Sequence, residues 1–355
     1  MDWSSFLLDA LPHAIGMPVC TATLRANPDD FQVDEMPSFE PSGEGEHLFL
    51  HVRKRNQNTA WVAGRLAEVA GLPPDAVSYA GLKDRRAVTT QWFSLHVPNR
   101  QRPDLDAVWN DDIELLAETW NARKLKRGAH QGNRFVITLR DVEGERAAID
   151  ARLEQLAAIG VPNYFGPQRF GHDNGNLAAG EAVLAGRPRR RLNHRETLAF
   201  SAVRAALFNR VLGERIAGGS WNRLLPGDVL MLDGRGSFFR PEADDAALPA
   251  RLAALELHPT GPLFGRGRPA VSDEVLALEE GVAALAGELA DRLGAFGAEA
   301  QRRALRLRVA ELAWQHGEDG SLRLTFALPS GAFATSVLRE LARLRESGLH
   351  EIPVE

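Results

Sequence analysis

The alternation of apolar and polar positions divides the chain into a strand-rich beginning and end around a helix-rich middle. Thr21 to Arg25 and Phe31 to Met36 read as short strands on either side of the turn Asn27-Pro28-Asp29-Asp30. His47 to Arg53 alternates as a third strand and runs into the basic triplet Arg53-Lys54-Arg55. Thr59 stands where an N-cap would, ahead of a helix over Ala60 to Ala70 that Gly71 closes. Gln91 to Val97, Ile113 to Trp120 and Asn133 to Leu139 have the apolar and β-branched content of strands, and the last two read as joined by a hairpin connection. Glu145 to Ile159 carries a helical stripe of Ala147, Ile149, Leu153 and Leu156.

From Leu177 to about Arg303 the texture is alanine-rich, with long helical stretches over Arg195 to Ile216 and Ser272 to Leu293. Alternation then returns at Leu305, Leu307 and Val309 and at Leu322, Leu324 and Phe326, before a helix predicted to run through about Arg345. The aromatic and glycine-rich segment Asn163 to Gly171 has no clean period and marks a boundary. The pattern predicts an α+β domain, residues 1–159 and 306–355, interrupted by an insertion over 160–305.

Composition narrows the function. A chain of 355 residues suits about two domains, and its net charge of -5 argues against a general nucleic-acid coating protein while leaving room for a local basic groove. The cations are nearly all Arg, with Lys only at 54, 83, 124 and 126. Cys20 is the single cysteine, which excludes an internal disulfide framework and a Cys-based zinc site and fits a reducing cytoplasm. His47 and His51 share a strand face with no acidic or Cys partner in metal-ligand register, so they read as surface residues. No cofactor is implied: Gly265-Arg266-Gly267 lacks the strand, third glycine and distant acid of a dinucleotide site, and no P-loop occurs. No signal peptide, membrane-spanning run or obligate protein partner is evident.

The candidate chemistry centres on Tyr79 to Val88. There Asp84 lies between Lys83 and the pair Arg85-Arg86, a field that favours the ionised carboxylate and suits a phosphate-bearing substrate. The same composition also suits an ordinary surface turn with local ion pairs. Two acid-free basic runs accompany it: Arg123, Lys124, Lys126 and Arg127, and then Arg187, Arg189, Arg190, Arg191 and Arg195. Phe31, Phe135 and Phe333 stand at chain turns, where aromatic rings either stack on unpaired bases or simply fill a core.

Five segments in one order resemble the TruD family of tRNA pseudouridine synthases over nearly the whole chain. They are Asn27 to Glu35, Tyr79 to Gln91, Gly132 to Phe135, Pro162 to Gly171 and Leu328 to Thr335. The resemblance implies a pseudouridine synthase catalytic domain with a central antiparallel sheet and an inserted TRUD domain. It implies an isomerase that converts uridine 13 of tRNA without a cofactor. By position in the motifs, Asp84 matches the catalytic aspartate and Phe135 the ring that stacks on the target uracil. Asn133, Phe31 and Phe333 match further substrate contacts, and Arg25 is the positional match for the basic residue against the aspartate. Lys83 joins them as a substrate-binding candidate. The alternatives from the sequence are an RNA-binding protein that keeps the scaffold without turnover, and a synthase acting on a different RNA.

Overall fold

The computed structural model describes residues 1–188, 192–242 and 245–346. Arg189, Arg190 and Arg191 of the second basic run lie outside the described residues. The chain forms two compact units.

One unit comprises, among the described residues, 19–149, 310–331 and 342–346. It is built on a ten-stranded sheet. The strands are β1 (Cys20–Leu24), β2 (Phe31–Pro37), β3 (His47–Arg55), β4 (Val77–Tyr79), β5 (Val88–His96), β6 (Ile113–Asn121), β7 (His130–Glu143), β8 (Ala310–His316), β9 (Leu322–Pro329) and β10 (Ala342–Glu346). The main path runs β8-β9-β7-β2-β5-β3-β6, with β1 pairing β7 and β10, and β4 pairing β5. All pairings are antiparallel except β2 with β5 and β1 with β10. The strand β7 organises the unit: its 14 residues pair with β9 and β2 and then, past a register shift near Asp141 at φ 49°, with β1.

Several local expectations change. The connection 122–129 is no hairpin, because β6 pairs with β3 while β7 lies beyond β5 and β2. The basic segment instead crosses one face of the sheet, tied by Gly128 N–H to Ala80 O at 2.7 Å and by buried Leu125 against Phe49 and Ala80. The helix α1 (Thr59–Val69) is capped by Asn58, whose side chain accepts from Ala60 N–H at 2.8 Å. The hydroxyl of Thr59 is therefore available elsewhere. The helix predicted through Arg345 ends at Leu341, and the chain continues as β10, with Ala342 beside Cys20 of β1. Tertiary pairing overrides helical propensity there.

The second unit comprises residues 1–18, 150–309 and 332–341. Its core surrounds the helix His194–Ala217, which starts at a reciprocal cap between Asn193 and Glu196. The stretch from Ser272 is two helices, Asp273–Leu285 and Leu289–Ala295, broken where Gly287 takes φ 55°. A four-stranded antiparallel sheet also belongs to this unit, formed by Leu230–Leu232, Phe238–Phe239, Leu257–Leu263 and Gln301–Ala304. Fully buried Arg215 is held in a two-pronged pair with Asp228, an arrangement that satisfies two charges which would be costly apart.

Candidate active site

Asp84 sits in the loop between β4 and β5, with its side chain about one-third exposed at 32%. Buried polar groups fix the loop from below. Gln91 on β5 donates to Gly81 O at 3.1 Å and accepts from Thr59 Oγ1 at 3.0 Å, while Thr59 Oγ1 accepts from Lys83 N–H at 3.1 Å. Thr59 and Gln91 are both buried, so this network is shielded from competition by water.

The next support is Lys54. Along β3, Leu48, Leu50, Val52 and Lys54 occupy one alternating set, and all four are buried, Lys54 at 0% exposure. Its Nζ donates to Gln57 O at 2.6 Å and to the main-chain oxygen of Asp84 at 3.2 Å. Burial lowers the Lys54 pKa from the ordinary 10.5 to about 8, with Asp84 opposing the shift and Lys83 adding to it. The neighbours Arg53 and Arg55 point the other way, to exposed pairs with Glu114 and Asp29.

Arg25 comes to Asp84 from β1. Its backbone lies in the left-handed region at φ 56°, which turns the chain after Leu24. Arg25 Nη2 donates to Asp84 Oδ2 at 2.5 Å, and its guanidinium carbon lies 4.2 Å from the centroid of the Phe31 ring. One cation thus joins the carboxylate to an aromatic face.

Phe31 meets Phe135 edge-on at 6.2 Å, and Phe135 stacks on its cross-strand partner Phe326 at 5.3 Å. Phe31 and Phe135 are only 2% and 6% exposed. Asn133, two residues before Phe135, shares its face of β7 and lies beside Glu35 of β2. Its Oδ1 is buried without a hydrogen-bond partner among the described residues. Such an atom is costly unless a ligand supplies a donor.

Lys83 is committed to Glu35, with Nζ to Oε2 at 2.5 Å and both side chains buried. Beside this pair, His130 has its Nε2 3.0 Å from Ser330 Oγ. Burial, followed by the Lys83 charge, holds the His130 ring below its ordinary range. Phe333 belongs to the other compact unit, where it packs edge-on against Phe165 at 6.1 Å. Lys54, Glu35 and His130 were missed from the sequence; the signal for the first two was their phase, in register with the apolar residues of their strands. Arg85 and Arg86 flank Asp84 in sequence, and Arg86 reaches back to Arg25 O at 3.4 Å.

Among the described residues no group of three or more His, Cys, Asp or Glu is placed to hold a metal ion, and no helix is long and apolar enough to cross a membrane. A half-open carboxylate with a fixed cation and aromatic rings nearby can act as a nucleophile or a base on a bound planar ligand.

Comparison with known proteins supplies the family. The family model described as tRNA pseudouridine synthase D (TruD) matches residues 8–195 and 195–341. The chain belongs to the TruD family. A TruD relative from Xanthomonas axonopodis pv. citri (strain 306), named tRNA pseudouridine synthase D, is 50% identical, with 97% of each chain covered. A relative of the same name from Methylococcus capsulatus is 48% identical, with 96% of each covered. A solved TruD structure from Methanosarcina mazei has a TM-score of 0.74 at 21% identity, covering 93% of this chain and 95% of that one. That likeness shows the shared α+β fold with its large central sheet.

Proposed function

We propose that this chain is a tRNA pseudouridine synthase that isomerises uridine 13 of tRNA, with Asp84 as its reactive carboxylate and the cytoplasm as its place of action. The observation that carries the reading is the Arg25–Asp84 pair at 2.5 Å, seated on the Phe31 ring. In this reaction the C1′–N1 bond breaks, the uracil turns, a C1′–C5 bond forms, and the proton lost from C5 is balanced by one gained at N1. No atoms are gained or lost and nothing is oxidised. Asp84 serves either as the nucleophile at C1′ or as the base that starts glycal formation. Arg25 holds it in place through their hydrogen bond.

The target base must leave its stack, a cost of about a few kcal/mol that contacts in the pocket offset. Phe135 supplies the stacking face. Asn133 Oδ1 accepts a hydrogen bond from the nucleotide, Phe31 adds an aromatic contact, and Phe333, on the second unit, is a further substrate-contact candidate. Lys83 contributes to the pocket through its pair with Glu35. The domain assignment belongs to the same proposal, with residues 1–159 and 306–355 as the catalytic domain and 160–305 as the inserted TRUD domain, although by contacts 1–18, 150–159, 306–309 and 332–341 group with the inserted segment. The test is to incubate purified protein with unmodified tRNA and map the product. Pseudouridine at position 13 supports the reading, whereas tRNA binding without pseudouridine sinks it.

A further inference from the structure

We infer that the groove between α1 and the connection 122–129 is a second RNA subsite, which holds an unpaired nucleotide of the substrate away from the reacting uridine. The inference rests on the reading of the chain as an RNA-modifying enzyme. The groove has a volume of about 560 Å³, with Ala60 and Gly64 of α1 on one wall, Tyr79 and Leu125 toward the sheet, and Lys126 and Arg127 on the rim.

Three features point to a ligand. The first is Gly64, inside α1 and exposed. A Cβ added there would meet nothing within 4 Å, and Gly64 is not among the positive-φ residues. Glycine is the weakest helix former after proline, and no contact among the described residues explains it. Its absent side chain keeps this wall low. The second is Ser78, which lines the groove with its Oγ buried and without a hydrogen-bond partner among the described residues. The third is charge. Lys124 spends one of its three ammonium hydrogens on Asp75 O at 2.8 Å, and the Arg127 guanidinium lies 5.2 Å from the Tyr79 ring centroid. A basic rim above an apolar, partly aromatic floor is the arrangement that takes a base and its phosphate together.

Position in the chain adds to this. Tyr79 ends β4, and the next residues form the loop that carries Asp84; Gly128 of the basic connection bonds Ala80 at the start of that loop. A strand of RNA held in the groove would therefore bear on the same loop that positions the reactive group.

The experiment uses the full chain and an unmodified tRNA transcript, titrated over a range of salt concentrations. Gly64→Leu fills the groove with a good helix former and is expected to weaken tRNA binding about fivefold or more without lowering the Tm. Gly64→Ala, the control, keeps affinity within about twofold and raises the Tm by about 2 °C. Lys126→Gln with Arg127→Gln is expected to flatten the slope of log K against log salt by about 1.4, roughly 0.7 for each single-strand phosphate contact. Unchanged affinity in Gly64→Leu, or an unchanged slope in the double variant, overturns the subsite. Because the readout is binding, a protein that forms no pseudouridine fails the functional proposal and not this one. Full activity combined with wild-type binding in these variants fails this one alone.

Discussion

Arg25 Nη2 lies 2.5 Å from Asp84 Oδ2, on a residue whose backbone occupies the left-handed region at φ 56°. A strained backbone position is maintained only where surrounding contacts hold it. Here those contacts include the Asp84 carboxylate, the Phe31 ring and Arg86 on the Arg25 main-chain oxygen. Arg25→Ala should lower kcat about 10- to 100-fold, the worth of a hydrogen bond to a charged group, with a smaller effect on KM for tRNA. Arg25→Lys should recover part of the loss, because it restores the charge without the planar fork. Equal kcat for all three proteins would remove Arg25 from the account.

Lys54 acts on Asp84 through the main chain. Lys54→Met removes the donor to Gln57 O and Asp84 O and should reduce kcat at least tenfold while KM moves little. It also makes a prediction about pH. The Lys54 pKa is lowered from 10.5 to about 8 on folding, so between those values the unfolded chain binds this proton and the folded chain does not. Stability contributed by this site therefore rises with pH across about 8 to 10.5, and its cost is fully present below pH 8. Denaturant unfolding of wild type and Lys54→Met at pH 7.5 and pH 10 reads the difference; a gap that does not change in favour of wild type at the higher pH contradicts the assignment.

Asn133 carries a buried oxygen without a partner among the described residues. Asn133→Ala should therefore leave unfolding free energy within about 1 kcal/mol of wild type, or raise it, while kcat/KM falls tenfold or more. A variant that loses stability and activity in proportion would show instead that the side chain is structural.

Phe135 contributes both to packing, between Phe31 and Phe326, and to the proposed stacking. Phe135→Leu keeps most of the volume, so stability should fall by less than about 1.5 kcal/mol. Loss of base stacking, worth about 1–3 kcal/mol, should lower kcat/KM by roughly 10- to 100-fold. Activity near that of wild type in the folded variant would assign the ring to the core alone.

Strand and helix positions in the unit built on the ten-stranded sheet were legible because period-2 and helical patterns are local, as β3 and α1 illustrate. Pairing order was not. The connection after Asn121 looked like a hairpin because it lies between two consecutive strands, yet β7 finds its partners in β2 and β9. Arg25, matched only by position, does meet Asp84, whereas Lys54 was hidden inside the triplet Arg53-Lys54-Arg55. Its phase with Leu48, Leu50 and Val52 was the available clue, and burying a lysine made physical sense only once Gln57 O and Asp84 O were seen to receive it. Glu35 was concealed in the same way on β2, in phase with Phe31 and Val33. That Phe6 and Leu11, near the N-terminus, pack into the core around the helix His194–Ala217 depends on contacts no local pattern records.

The central claim is that Asp84 performs the chemistry, and one comparison tests it most directly. Wild type and Asp84→Asn, both shown to be folded, are incubated with unmodified tRNA, and the pseudouridine is mapped while tRNA affinity is measured in parallel. The account predicts product at position 13 from wild type, none above background from Asp84→Asn, and affinities within a few-fold of each other. Pseudouridine formed by Asp84→Asn at a rate near that of wild type would contradict it.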